Sequence, residues 1–110
     1  MNTPVSFPTA ILLQEKGINI WSEYRYTDFN GVERLEKNAS EIFPYAPTIA
    51  DVIMWLYEKH GIWISVEATD DFTMFCFRVR KKEISRLSFN FNSIKEAYEA
   101  AIDYCLNHIV

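Results

Sequence analysis

The side chains able to do chemistry in this sequence are few and far apart. Cys76 and Cys105 form no CxxC pair and sit in no recognisable nucleophile setting, which predicts reduced, partly buried thiols rather than a redox or zinc motif. His60 and His108 belong to no HxxxH or HExxH pattern, so a structural or solvent role fits them better than metal ligation. Asp70-Asp71 places two carboxylates side by side, as general acid–base work would need. After Thr69, however, adjacent acids in a turn hydrogen-bond the local backbone. Gly17, Gly31 and Gly61 stand alone, so no phosphate-cradling loop or dinucleotide fingerprint can be assembled, and no G-x-S-x-G or S-x-x-K occurs. The expectation is a non-enzymatic chain with no catalytic residue, no cofactor and no metal.

Charge is the one uneven feature. Arg78, Arg80, Lys81, Lys82 and Arg86 fall within nine residues that contain only Glu83 as an acid. That stretch carries +4 in a chain of formal net charge −4, so the remainder carries −8. If Arg78, Arg80 and Arg86 project from one polar sheet face together with Trp63, they can meet phosphates and stack a base. The plainer reading is a hairpin kept soluble and protected from edge pairing by basic side chains, and global acidity weighs against general nucleic-acid affinity.

These residues must be positioned by elements that the sequence marks well in its second half. Ser93-Ile94-Lys95-Glu96 has the form of a capping box, with Glu96 reaching back to Ser93. Beyond it Ile94, Ala97, Tyr98, Ala101, Ile102, Cys105 and Ile109 recur on one helical face. Thr48 as N-cap, Asp51 in the first turn and Gly61 as a stop predict a helix over 49–60, with Ile49, Val52, Ile53, Leu56 and Tyr57 inward and Met54 and Trp55 widening the stripe. Between these helices the period changes to two. Ile62, Ile64, Val66 and Ala68 alternate with Trp63, Ser65 and Glu67; Phe75, Phe77 and Val79 alternate with Cys76, Arg78 and Arg80; Leu87, Phe89 and Phe91 alternate with Arg86, Ser88 and Asn90. Short links make this an antiparallel meander with one apolar face.

The first half is less explicit. Thr9 to Lys16, stopped by Gly17, suits a short helix in preference to a buried strand at Ile11-Leu12-Leu13, and Asn30-Gly31 marks a hairpin turn between strands near Ile20–Thr27 and Val32–Glu36. Residues 37–47 read as a loop whose Phe43-Pro44-Tyr45-Ala46-Pro47 segment blocks regular structure and plugs a sheet edge. The predicted fold is α+β in the order α-ββ-α-βββ-α, one globular domain over 1–110, with helices on one face of an antiparallel sheet. The hairpin is left free to pair at either edge of the meander or with a second copy, as a homodimer through a sheet edge.

Composition agrees. The hydrophobic fraction is 49%, and eight Phe, six Tyr and three Trp supply a dense core in 110 residues, which suits one domain better than disorder. No apolar run approaches the roughly 20 residues that cross a bilayer, and Pro4 and Pro8 interrupt the stretch where a signal peptide would be continuous. No membrane and a cytoplasmic location are expected.

Three segments carry a resemblance. Leu12–Ile18, Ala46–Ile64 and Ser93–Ile102 together look like a group of small uncharacterised proteins encoded by phages and prophages of gut Bacteroidetes. The matching residues are caps, stops and core-facing apolars, so the resemblance implies a fold and an origin and brings no functional residue with it. The expected role is that of a phage-derived accessory protein that binds a host or phage protein through an exposed surface. Trp63, Phe43, Tyr45 and the basic residues Arg78, Arg80, Lys81, Lys82 and Arg86 are the candidate contacts. The rival is a small nucleic-acid-binding factor using the hairpin 78–86.

Overall fold

The helices of the fold begin and end where local hydrogen bonds dictate. The computed structural model describes residues 3–29 and 31–110, so the Asn30 half of the expected Asn30-Gly31 turn lies outside the described residues. Helix α1 (Phe7–Glu15) starts two residues before Thr9, because the extended Ser6 caps it with its hydroxyl, which accepts from the Thr9 N–H at 3.5 Å. Pro8 is harmless there, since first-turn N–H groups have no partner within the helix. The helix stops at Gly17, whose φ of +70° lets its N–H reach the Gln14 carbonyl while the Ile18 N–H reaches that of Leu13.

Strands β1 (Tyr24–Phe29) and β2 (Val32–Lys37) pair antiparallel as a sheet of their own, with Tyr24 opposite Lys37 and Phe29 opposite Val32. Residues 44–46 lie along the outer edge of β1. There the Tyr26 N–H donates to the Pro44 carbonyl and the Ala46 N–H to the Tyr24 carbonyl, both at 3.0 Å. Helix α2 (Ile49–His60) opens with a reciprocal box: the Thr48 hydroxyl accepts from the Asp51 N–H at 3.1 Å, and the Asp51 carboxylate accepts from the Thr48 N–H at 3.3 Å. It ends at Gly61 (φ +66°), whose N–H donates to the Tyr57 carbonyl.

The described chain falls into two compact units, Met1–Val52 and Ile53–Val110, divided inside α2. In the first, Val5, Ala10, Leu13, Ala46, Ile49 and Val52 are buried. In the second, β3 (Trp63–Ala68), β4 (Phe75–Lys81) and β5 (Ile84–Phe91) form the expected meander in the order β3-β4-β5, and α3 (Ile94–His108) packs on one of its faces. Ile62, Ile64, Phe77 and Val79 from the sheet and Ala97, Ala101, Ile102, Cys105 and Leu106 from the helix are buried there. Burying each large aliphatic side chain contributes roughly 1.5–3 kcal/mol before ordering entropy is subtracted. The element order is thus α-ββ-α-βββ-α, an α+β fold with two antiparallel sheets. Among the described residues no helix is long and apolar enough to cross a membrane.

Two expectations about faces and one about a cap change. Tyr57 and Met54, read as lining or widening the inward stripe of α2, are half exposed. On α3, Ile94 is 50% exposed while Leu106, absent from the expected set, is fully buried, so the buried stripe is rotated toward 97, 101, 102, 105 and 106. The capping box of α3 also differs in one partner: Ser93 accepts from the Glu96 N–H at 3.0 Å, but the Glu96 carboxylate accepts from the Asn92 N–H at 3.1 Å instead of that of Ser93.

The largest change is in β5. Phe77 faces Ser88 but Phe75 faces Phe91, so two residues of β5 oppose one of β4. The extra residue is taken up at Asn90, which adopts φ +73°, a left-handed conformation that asparagine tolerates better than most side chains. Strict alternation would put Leu87, Phe89 and Phe91 on one face. The bulge instead turns Phe91 toward α3, with its ring 5.5 Å from that of Phe77, and leaves Leu87 on the opposite face beside Arg78.

Candidate binding face

The face of the meander turned away from α3 is built row by row from the strand register. Trp63 stands beside Arg80, and Arg80 beside Ser85; Ser65 stands beside Arg78, and Arg78 beside Leu87; Glu67 stands beside Cys76, next to which Phe89 completes the third row. Trp63 is 48%, Leu87 40% and Phe89 54% exposed, so large apolar side chains lie open on this face beside two arginines. Trp63 is steadied at one end by an edge-to-face contact with Tyr57, ring centroids 5.5 Å apart.

A groove of about 580 Å³ runs over this face. Its floor holds Ser65, Cys76, Arg78, Leu87 and Phe89, and Glu67 with the turn from Ala68 to Asp71 closes one end. The groove is therefore polarised, with guanidinium charge toward Trp63 and carboxylates at the turn. Arg78 lines the groove as a partly buried residue and has no ion-pair partner among the described residues.

The turn is held by one carboxylate. Asp71 Oδ1 accepts from the Thr69 hydroxyl at 2.7 Å, from the Thr73 hydroxyl at 2.8 Å and from the Thr73 N–H at 3.1 Å. The bond from Thr69, followed by those from Thr73, holds the Asp71 carboxyl below its ordinary value of 3.8. This is the carboxylate of a locked turn and a poor general base. Because the folded state depresses the Asp71 pKa, the order of the turn is present above the ordinary aspartate range and is lost as pH falls through the lower, folded value. The Thr73 amide resonance, followed by NMR as pH falls, should move with a midpoint below 3.8, and a midpoint at or above that value would contradict this arrangement.

The locked turn also holds Phe72 at φ +58° with 82% of its surface exposed. An aromatic residue in the left-handed region is uncommon and costs about 1–2 kcal/mol, which here maintains a bare ring at the tip of the β3–β4 hairpin.

The candidate contacts read from sequence are divided by the register. Trp63, Arg78 and Arg80 share the open face as expected. Arg86 does not: it pairs with buried Val79 on the α3 side, its guanidinium 5.5 Å from the centre of the Tyr104 ring. Lys81 closes the β4–β5 turn opposite Ile84, and Lys82 is the turn residue at φ +52°. The basic cluster is continuous in sequence and split in space. Phe43 and Tyr45 belong to the other unit, where the Arg25 guanidinium sits 3.8 Å above the Tyr45 ring and donates to the Phe43 carbonyl at 2.6 Å. They fasten the segment along β1, as the expected edge plug requires. Leu87, Phe89 and Phe72 are the open-face and tip residues that the sequence reading missed. The two-residue β4–β5 turn sets the register that puts Leu87 and Phe89 there, and a left-handed turn residue places Phe72 at the tip; neither has a periodic signature.

Cys105 is fully buried, and that burial pushes its thiol up to about 12. Such a thiol is not a nucleophile at neutral pH. Among the described residues no group of three His, Cys, Asp or Glu side chains is gathered as a metal site would need. Compared with known proteins, the chain matches no family model, no curated protein and no solved structure.

Proposed function

We propose that this chain is a non-enzymatic accessory protein of phage or prophage origin that works by binding another protein through the open face of β3–β4–β5. The observation that carries the reading is the juxtaposition of Trp63, Arg80, Arg78, Leu87 and Phe89 in neighbouring rows of one exposed sheet face. Tryptophan, arginine and phenylalanine are enriched where protein interfaces concentrate their binding energy, and exposed apolar surface bordered by charge marks such sites. The phage origin rests on the resemblance of the three sequence segments described above.

Single-stranded nucleic acid is the competing ligand, because Trp63 beside Arg80 also suits a base and its phosphate. The carboxylates of Glu67, Asp70 and Asp71 at the end of the groove and the net charge of −4 repel a polyanion, which favours a protein. The test is site-specific photo-crosslinking in cells that carry the gene, with a benzophenone side chain at Phe89 and a control at the equally exposed Ile94 on α3. A protein adduct is expected at Phe89 and not at Ile94, and Trp63→Ala or Arg78→Ala should each weaken the complex about tenfold or more. A nucleic-acid adduct at Phe89, or equal yields at the two positions, overturns the proposal.

A further inference from the structure

The β1–β2 ribbon leaves one strand edge open. Segment 44–46 covers the outer side of β1, but β2 is the end of its two-stranded sheet, and every residue from Val32 to Lys37 is exposed. The bonds on the covered side establish which backbone groups of β2 are free. Tyr24 and Tyr26 direct their backbone groups away from β2, to Ala46 and Pro44. In an antiparallel pair the residues opposite them then direct theirs away as well. Those residues are Lys37 and Leu35, and by alternation Glu33 does the same. Glu33, Leu35 and Lys37 thus present three N–H and three C=O groups along the open edge, while Val32, Arg34 and Glu36 turn theirs to β1.

The side chains on that edge are complementary to themselves. The strand reads Val32-Glu33-Arg34-Leu35-Glu36-Lys37. A second copy pairing antiparallel about a twofold axis at Leu35 brings Glu33 opposite Lys37, Arg34 opposite Glu36 and Leu35 opposite its own counterpart. The same register sets Glu33, Leu35 and Lys37 opposite one another, so their free backbone groups make three hydrogen-bonded pairs of two bonds each. Moving the axis one residue either way sets Arg34 against Arg34 or Glu36 against Glu36, and like charges directly opposite are destabilising. One register satisfies both backbone and charge.

We infer that the chain forms a homodimer by antiparallel pairing of β2 with β2 of a second copy, centred on Leu35. An isolated two-stranded ribbon is marginally stable in water, and joining two ribbons makes a four-stranded sheet that satisfies the free groups of both. Edge strands are commonly guarded by charge, but in this register the alternating signs of Glu33, Arg34, Glu36 and Lys37 attract an identical strand. Lys37 already bonds Glu23 at 3.3 Å, and its ammonium has further donors for the second copy's Glu33. The inference is independent of the open face of β3–β4–β5, which lies in the other unit.

Sedimentation equilibrium of the full chain at low salt should show a monomer–dimer equilibrium. R34E and E36R should each weaken dimerisation about tenfold or more, by setting like charges opposite in both halves of the interface. Mixing the two variants, or combining them in one chain, should restore it. Amide exchange at Glu33, Leu35 and Lys37 should slow as concentration rises. L35P supplies a second variant, since it removes an N–H that β1 does not use. A chain that stays monomeric up to several hundred micromolar overturns the inference, as does a dimer indifferent to R34E, E36R and L35P. Failure of the mixed charge variants to recover also overturns it.

Discussion

Leu106→Ala should lower the unfolding free energy by about 2–5 kcal/mol, whereas Ile94→Ala on the same helix should change it by less than about 1 kcal/mol. Both side chains are aliphatic and both lie on α3, so the contrast isolates burial. Leu106 has no exposed surface, and truncation there removes a buried isobutyl group and leaves a cavity among close-packed neighbours. Ile94 is half exposed, and its truncation returns to water only part of an already wet side chain. Urea unfolding followed by far-UV circular dichroism reads the difference directly as a shift in midpoint. Equal shifts would mean that the buried stripe runs through Ile94, as periodicity alone suggests, and that the helix is rotated from the orientation described here.

That pair of residues shows where sequence reasoning reached and where it stopped. The existence, type and ends of α2 and α3 were legible because capping is local: Thr48, Asp51, Ser93 and Glu96 each make their bond within four residues. The rotation of α3 was not legible. Its sequence offers apolar residues over more than one stripe, and only the neighbours across the core select Leu106 over Ile94. The meander was legible for β3 and β4, where alternation is unbroken and the expected faces hold. In β5 a single residue out of phase, Asn90, reverses the side to which Phe91 points, because the period of a strand is two.

The candidate face follows the same division. Trp63, Arg78 and Arg80 could be placed together because they lie on β3 and β4, whereas Arg86 could not, since its face depends on how β5 registers against β4. Proximity in sequence had joined Arg86 to the other two, and the strand pairing separates them. Alternation alone puts Leu87 and Phe89 on the apolar face with Phe91; the register gives them to the groove instead. The hairpin β1–β2 was visible from its turn and the edge plug from Phe43-Pro44-Tyr45-Ala46-Pro47, but that the plug lies on β1 was not, because strand pairing across distant segments leaves no local trace.

Cys105 should be among the least reactive thiols available to a labelling reagent, and Cys76 the first to react. Cys76 lines the groove of the open face and keeps 8% of its surface, whereas Cys105 has none. Burial raises the Cys105 thiol from an ordinary 9.0 to about 12, so at pH 8 its thiolate is roughly a thousandfold scarcer than that of an exposed thiol. In a Cys76→Ser chain, Ellman's reagent should therefore modify Cys105 far more slowly in the folded protein than in urea. The same shift has a consequence for stability. The folded state holds the Cys105 proton more tightly than the unfolded chain does, so this contribution is complete below about pH 9 and declines as pH rises toward 12. The stability advantage of wild type over Cys105→Ala should accordingly narrow across that alkaline range, which separates this thiol from tyrosine and lysine titrations common to both chains. Rapid labelling of folded Cys105, or an advantage that does not narrow, would place that side chain near water and would deny α3 the packing on which the opposite, open face of the sheet depends.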